Sequence, residues 1–381
     1  MKGDLNQAFG LDPEVVYLNH AAVSPWPLCA TDAVIRFAQE NAFTGAEHYP
    51  AWIKKEAELR NQLKTLINAP SSADIALLKN TSEALSVVAY GLQWQAGDNI
   101  VISDEEFPSN RIVWESLKSQ GVEVRQIALT SENDNFSPEE ALIHATDSKT
   151  RLLSISSIQY ASGLAMDLTL LGKHCDRDNI LFCVDAIQSI GAVPIDAQAI
   201  HADFLMADGH KWMLGPEGLA MFYCKAEHRE KLKLYQYGWH MLEHLGDYDR
   251  EEWSTAKSAR RFECGSPNML AIHALNASMS LLLNTGMNRV GEQVCNNSRY
   301  LMTELATLQG VTLITPTQEG RYGGIVTFKA TNRDHTKLFE HYKEQRIVCA
   351  QRGGGIRLSP HYYTERNLLD KALDIIAESV K

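Results

Sequence analysis

The chain has 381 residues, 45% hydrophobic and 22% charged, enough to bury a large core and to suggest one big domain plus a smaller one. Its formal net charge of −11, without basic blocks, argues against nucleic acid or an anionic membrane as partner. Seven irregularly spaced cysteines without a C-x-x-C pair, a polar start without a signal pattern and no apolar run near the ~20 residues of a bilayer span read as a cytoplasmic protein with reduced thiols.

In chain order, Val15 to Leu18 reads as a short strand leading into Asn19-His20-Ala21-Ala22. Thr31 to Asn41 and Trp52 to Ile67 have helical spacing, and Leu59, Leu63, Leu66 and Ile67 share one apolar face. From Ile75 the pattern alternates. Short apolar runs at 75–78, 99–103, 122–129, 152–158, 180–184, 203–207 and 219–224 are separated by helical stretches, among them one opened by Ser137 as N-cap with Pro138 behind it. That alternation predicts βαβ units and a mainly parallel sheet of about seven strands. The segment 235–261 is irregular and aromatic. Met269 to Leu283 reads as a long helix, and the tail mixes helices with short strands, which predicts a smaller α+β domain ending in a helix over 367–380. The expected division is a large domain at 20–268 and a small one made of 1–19 and 269–381.

Parallel sheets carry their sites at the carboxyl ends of their strands. That rule points to Asn80-Thr81, Glu106-Phe107, Tyr160, Asp185 and Asp208 to Lys211. The stretch Asp203 to Gly218 is the most informative. An apolar strand delivers Lys211 into a polar loop beside His210, as an imine-forming lysine requires: a rigid base and partial desolvation that populates the neutral amine. Asp185 ends the apolar run Ile180 to Val184, so its strand is buried on both faces and its carboxylate needs a cationic partner, for which a protonated pyridine nitrogen is suited. Gln188 follows one turn later, within reach of a ring oxygen. Asn80-Thr81-Ser82 opens a helix whose first N–H groups suit a phosphate. Phe107 sits at a depth where it can stack on a planar ring. Phosphate cradle, ring stacker, pyridinium partner and lysine in this order are specific for pyridoxal 5′-phosphate.

Those motifs, with Val184-Asp185-Ala186-Ile187-Gln188-Ser189, Gly209-His210-Lys211, Phe262-Glu263-Cys264-Gly265-Ser266-Pro267-Asn268 and Ile356-Arg357-Leu358-Ser359-Pro360, resemble the class-V aminotransferase family of fold-type I pyridoxal-phosphate enzymes. That group includes cysteine desulfurases, selenocysteine lyases, kynureninases and isopenicillin N epimerases. The resemblance implies the fold-type I α/β architecture and the following roles. Lys211 would hold the cofactor as an imine and move the Cα proton. Asp185 would keep the pyridine nitrogen protonated, and Gln188 would contact the phenolic oxygen. Phe107 would stack on the ring. Thr81, Ser82, Asp208 and His210 would hold phosphate. Ser266 would reach the phosphate of a neighbouring subunit, which implies a homodimer with shared sites. Arg357 would clamp the substrate α-carboxylate, a task suited to its planar fork. No metal is implied.

Two departures bear on the reaction. Cys349 lies only eight residues before Arg357, without the long loop that carries the sulfur-accepting cysteine of the desulfurases, and reads as structural. Tyr160 replaces the asparagine those enzymes carry near the ring. The expectation is therefore an enzyme acting on a small α-amino acid by transamination or lyase chemistry, with desulfuration, selenocysteine cleavage or epimerisation as alternatives. Substrate selection is expected around His20, Tyr160, Trp239 and Arg357. A non-catalytic, cofactor-binding regulatory protein is the reading from another class; it could dispense with Arg357 and Asp185, and both are present with Lys211.

Overall fold

The computed structural model describes residues 8–129 and 136–381. The chain starts with β1 (Val16–Tyr17), α1 (Leu28–Thr44) and α2 (Tyr49–Leu66). An alternating series follows: β2 (Ile75–Leu78), α3 (Thr81–Gly91), β3 (Asn99–Ser103), α4 (Ser109–Glu115), β4 (Glu123–Ile127), α5 (Pro138–His144), β5 (Thr150–Ser156), α6 (Leu168–Asp178), β6 (Leu181–Asp185), β7 (Phe204–Asp208) and β8 (Ala220–Cys224). Strands β2 to β8 form one seven-stranded sheet in the order β2-β8-β7-β6-β5-β3-β4. The five strands from β7 to β4 are mutually parallel, whereas β8 runs antiparallel to both β7 and β2. The expected mainly parallel sheet is thus present, and each predicted apolar run supplies one of its strands.

Strands β7 and β8 are buried along their whole length and β6 from Phe182 onward, which is why they read as unbroken apolar runs. One face carries Phe182, Val184, Leu205 and Met221; the other carries Cys183, Phe204, Met206 and Phe222. Each such large side chain stabilises the fold by about 1.5–3 kcal/mol on burial. Helix starts follow local chemistry. Asn80 Oδ1 caps α3 by accepting from the Glu83 N–H at 2.8 Å, and Ser137 and Glu140 form a reciprocal capping box on α5 behind Pro138. On α6, Gly172 is set by space: a Cβ there would lie 1.8 Å from the Ile200 carbonyl oxygen, so helix and following loop meet backbone to backbone.

The rest of the chain forms α7 (Met269–Thr285), α8 (Met287–Leu305), β9 (Val311–Leu313), β10 (Val326–Ala330), α9 (His335–Glu344), β11 (Ile347–Val348), β12 (Ala350–Arg352), β13 (Gly355–Leu358) and α10 (Arg366–Val380). An antiparallel sheet β12-β13-β10-β9 and the parallel pair β1–β11 share a second core with α8, α9 and α10. Helix α7 packs with the larger core, through Ile272, Leu275, Met279 and Leu282, and the second core takes up the chain from Leu301 in α8. Cys349 separates β11 from β12. Among the described residues, no helix is long and apolar enough to cross a membrane.

Candidate active site

The carboxyl ends of β6 and β7, the start of α3, the loop after β3 and strand β13 meet around a cavity of about 270 Å³. Its wall brings together nine of the predicted site residues: Thr81, Phe107, Tyr160, Asp185, Gln188, Asp208, His210, Lys211 and Arg357.

Asp185 is the last residue of β6 and is nearly fully buried. One carboxylate oxygen accepts from the Ile187 N–H at 3.1 Å, and no basic group among the described residues comes within 4.0 Å. Burial raises its pKa, and the negative charge of Glu106 adds to the rise. Glu106 itself is locked in place: it accepts from Ser103 Oγ, Asn110 Nδ2, the Ser156 N–H and hydroxyl, and Gln159 Nε2, at 2.6–3.2 Å. Asp185 therefore faces the cavity with high proton affinity, and Lys211, which eases its charge, stays beyond ion-pair distance.

Lys211 stands three residues beyond the end of β7, with its Nζ 5.6 Å from the centroid of the Phe107 ring. Burial lowers its pKa, opposed by Asp185, and the Arg357 charge lowers it further. Phe107 is 40% exposed and contacts Tyr160 edge-on at 5.2 Å between centroids, so one ring face is free for a planar partner. Gln188 is held by the Trp212 indole N–H, which donates to its Oε1 at 2.8 Å, while its own amide donates to the Ala21 carbonyl at 3.1 Å. One amide hydrogen is left over.

At the start of α3, the Thr81 N–H and hydroxyl both donate to Asp208 Oδ2 at 3.3 Å. Asp208 Oδ1 and His210 Nδ1 are buried without partners. Burial raises the Asp208 carboxyl to about 6 and lowers the His210 imidazole to about 4. Arg357, only 3% exposed, donates from Nη1 to the Tyr160 carbonyl at 2.8 Å, yet its Nε has no partner. No carboxylate among the described residues lies within 4.0 Å of its guanidinium. A buried guanidinium without an acid calls for an anionic ligand.

These features fit a phosphorylated pyridine cofactor: an uncompensated carboxylate for the ring nitrogen, an exposed aromatic face, an amine of lowered pKa, and unpaired polar atoms beside a helix start. The remaining predicted residues lie elsewhere. Ser82 sits just outside the wall, its hydroxyl donating to Ser109 Oγ at 2.9 Å, and Ser109 does line the cavity. Ser266 is exposed and lines a separate depression. His20, expected on the substrate side, is a core tie: Nδ1–H donates to the Ser359 carbonyl at 2.8 Å and Nε2 accepts from the Tyr363 hydroxyl at 2.7 Å. Its neighbours Ala21 and Ala22 form the wall instead. Trp239, also expected there, lies in a short 3₁₀ turn against Tyr248, outside the wall. Sequence reasoning missed Ser109, Glu217 and Arg352, all of which line the cavity. None of the seven cysteines does; Cys349 is buried, and burial pushes its thiol up to about 12.

A family model for aminotransferase class-V matches residues 16–363. The chain is 29% identical over 98% of both sequences to a probable cysteine desulfurase of Methanothermobacter thermautotrophicus. In fold it resembles the apo structure of the cysteine desulfurase of Thermococcus onnurineus, with a TM-score of 0.87 at 24% identity, covering 99% of this chain and 97% of that one. It also resembles the cystine C–S lyase C-DES in complex with its reaction product cysteine persulfide, with a TM-score of 0.87 at 22% identity over 96% and 98% of the two chains. With nearly its whole length matched, the chain belongs to the class-V aminotransferase family of pyridoxal-phosphate-dependent enzymes.

Proposed function

We propose that this enzyme is a lyase acting on a small, sulfur-bearing α-amino acid, breaking the Cβ–S bond and releasing a thiol, pyruvate and ammonia. One observation carries the reading: a buried, acid-free Arg357 and Lys211 share a small cavity whose wall contains no cysteine. The first two suit an amino acid substrate. The third leaves the departing sulfur to solvent rather than to an enzyme thiol, and the high pKa of Cys349 agrees with that. The names of the relatives, cysteine desulfurase and cystine C–S lyase, support a sulfur-bearing substrate.

In this reading Arg357 binds and orients the α-carboxylate, and Lys211 Nζ takes the Cα proton. Asp185 would hold a proton on the ring nitrogen, and the charge of Glu106 raises the affinity of Asp185 for protons. Phe107 would cover one face of the ring, the spare Gln188 amide hydrogen would serve the phenolic oxygen, and Thr81, Ser82 and His210 would hold the phosphate, with Asp208 steadying Thr81. The bound cofactor supplies the electron sink for the Cα electron pair. Tyr160 borders the substrate through its ring and fixes Arg357 through its carbonyl. Ser266, outside the cavity of its own chain, is assigned to the phosphate of a second copy, which makes the protein a homodimer. His20 and Trp239 are given no substrate contact. A large domain, 20–268, and a small one, 1–19 with 269–381, belong to the same reading, with the first helix of the latter, α7, packed on the large core, as does a cytoplasmic location.

The test is product analysis of purified holoenzyme incubated with individual amino acids. Thiol or sulfide appearing with equimolar pyruvate and ammonia is expected. An α-keto acid without ammonia would mark transamination instead. Sulfide with alanine, abolished by Cys349→Ser, would mark desulfuration and overturn the reading. Borohydride is expected to fix the cofactor to the wild type and not to Lys211→Ala.

A further inference from the structure

The two-residue turn between β12 and β13 places a second arginine at the cavity. Gly353 and Gly354 have φ of 59° and 72°, the pair of positive values that a tight hairpin turn requires. On its other side β13 lies against β10: a Cβ on Gly355 would lie 2.2 Å from the Phe328 carbonyl oxygen. Arg357 pairs with Ala350, and Arg352 with Gly355. Side chains alternate along a strand, so Arg352, two residues from Ala350, shares a face with Arg357 and is its diagonal neighbour. Both line the cavity.

Two guanidiniums on one face of a short hairpin repel each other. The Arg352 charge contributes, after burial, to the lowered pKa of Arg357. The chain does not relieve that repulsion. The carboxylates of the wall are Asp185, Asp208 and Glu217, and none lies within 4.0 Å of either guanidinium. Among the described residues, Arg352 donates from Nη1 only to the Gln351 carbonyl, at 2.8 Å. Lys329 Nζ lies by the same turn, 3.9 Å from where a Gly354 Cβ would sit, and adds positive charge. Arg357 is buried deep in the wall, whereas Arg352 is exposed at the mouth.

We propose that Arg352 is a second anion-binding arm of this site, and that the substrate is an α-amino acid with an acidic group at the far end of its side chain. This rests on the reading of Arg357 as the arm for the α-carboxylate. The two arginines then take one acidic group each, so the reacting carbons lie between two fixed ends. A small neutral amino acid would leave Arg352 without a ligand.

The experiment compares two matched substrates on the holoenzyme: the mixed disulfides of cysteine with 3-mercaptopropionate and with its amide. They have the same size and leaving sulfur and differ in one negative charge. One charge-assisted contact predicts about tenfold higher kcat/KM for the acid in the wild type. Arg352→Gln is expected to reduce that ratio to about one, and Arg352→Lys to restore part of it. A wild type that does not distinguish acid from amide overturns the proposal. So does an Arg352→Gln variant that loses both substrates equally, since Arg352 then serves the α-carboxylate. The same comparison is made by binding L-2-aminoadipate and its ω-amide, read from the cofactor absorbance. These compounds carry no leaving group. Preference for the acid, lost in Arg352→Gln, supports the second arm even if C–S cleavage is not observed; no preference refutes it.

Discussion

Arg357→Met tests whether a functional group is held at the expense of stability. Burial, with Arg352 adding, lowers the Arg357 pKa from the usual arginine value to about 10. A base with a depressed pKa is penalised in the folded state at every pH below the folded value, and the penalty fades only as pH rises above about 10. At pH 7 it is therefore fully present, at about 3 kcal/mol. Methionine removes it while filling similar space, and gives up the hydrogen bond to the Tyr160 carbonyl, about 1.5–3 kcal/mol for a charged donor. The net expectation is a variant as stable as the wild type or up to about 2 kcal/mol more stable, measured by urea unfolding of the cofactor-free protein at pH 7. Activity should move the opposite way. Losing two charge-assisted bonds to a carboxylate lowers kcat/KM by roughly 10²–10⁴-fold. Destabilisation by more than about 2 kcal/mol, a common cost of damaging a buried site, would refute the reasoning. It would mean that Arg357 is a structural element with stabilising partners in the folded chain.

Glu106→Gln places an amide group among at least two donors in either orientation, because Oε1 and Oε2 each accept from two or more of Ser103, Asn110, Ser156 and Gln159. Urea unfolding should show a loss of about 2–4 kcal/mol; a change under about 0.5 kcal/mol would mean that the network is not needed. His20, lowered to about 4 by burial, should make the protein less stable as pH falls from 6.5 to about 4, because only the unfolded chain takes up that proton in this window. The effect reaches about 3 kcal/mol; Asp185 and Asp208, with raised values, act in the opposite direction. His20→Gln should flatten the slope, and an unchanged slope would assign the pH dependence to other groups.

Most strands of the large sheet, the edge strand β4 excepted, were legible because they are buried on both faces. Continuous apolar runs such as 180–184 and 203–207 suit strands of that kind. Once they are placed, the rule that sites lie at carboxyl ends leads to Asp185, Asp208 and Lys211 from chain order alone. The differences between the sequence reading and the cavity wall share a physical cause. His20 looks like a polar residue after a strand, but its partners Ser359 and Tyr363 are 339 and 343 positions away, and no local pattern reports such contacts. Trp239 belongs to an irregular segment whose path is set by distant packing. Arg352 reads as one more charge in a glycine-rich stretch. Only the hairpin register shows that it shares a face with Arg357. The signal was available, since Gly353-Gly354 between two short apolar runs marks a two-residue turn, and counting back from Arg357 across that turn would have found it.

Unsatisfied buried atoms occur at several places in the polar interior, and three of them meet at the cavity. Each costs about 1–3 kcal/mol when left unpaired. Asp208 Oδ1, His210 Nδ1 and Arg357 Nε come from segments far apart in sequence and converge on one space large enough for a ligand. Another buried group provides the contrast. Both nitrogens of His240 also lack hydrogen bonds, yet they lie 3.7 Å from Glu56 and 3.5 Å from Glu263. Arg60 joins those same two carboxylates. Opposite charges there face one another within the chain, so the cluster is closed electrostatically. Around Lys211 the charges face outward into a common space: an acid without a base at Asp185, and a base without an acid at Arg357. A fold can maintain such imbalances only while other parts of the chain supply the stability, and they persist where a bound molecule completes them. That molecule must bring a cationic ring nitrogen, a phosphate and a carboxylate, and an amino acid joined to pyridoxal phosphate carries all of them.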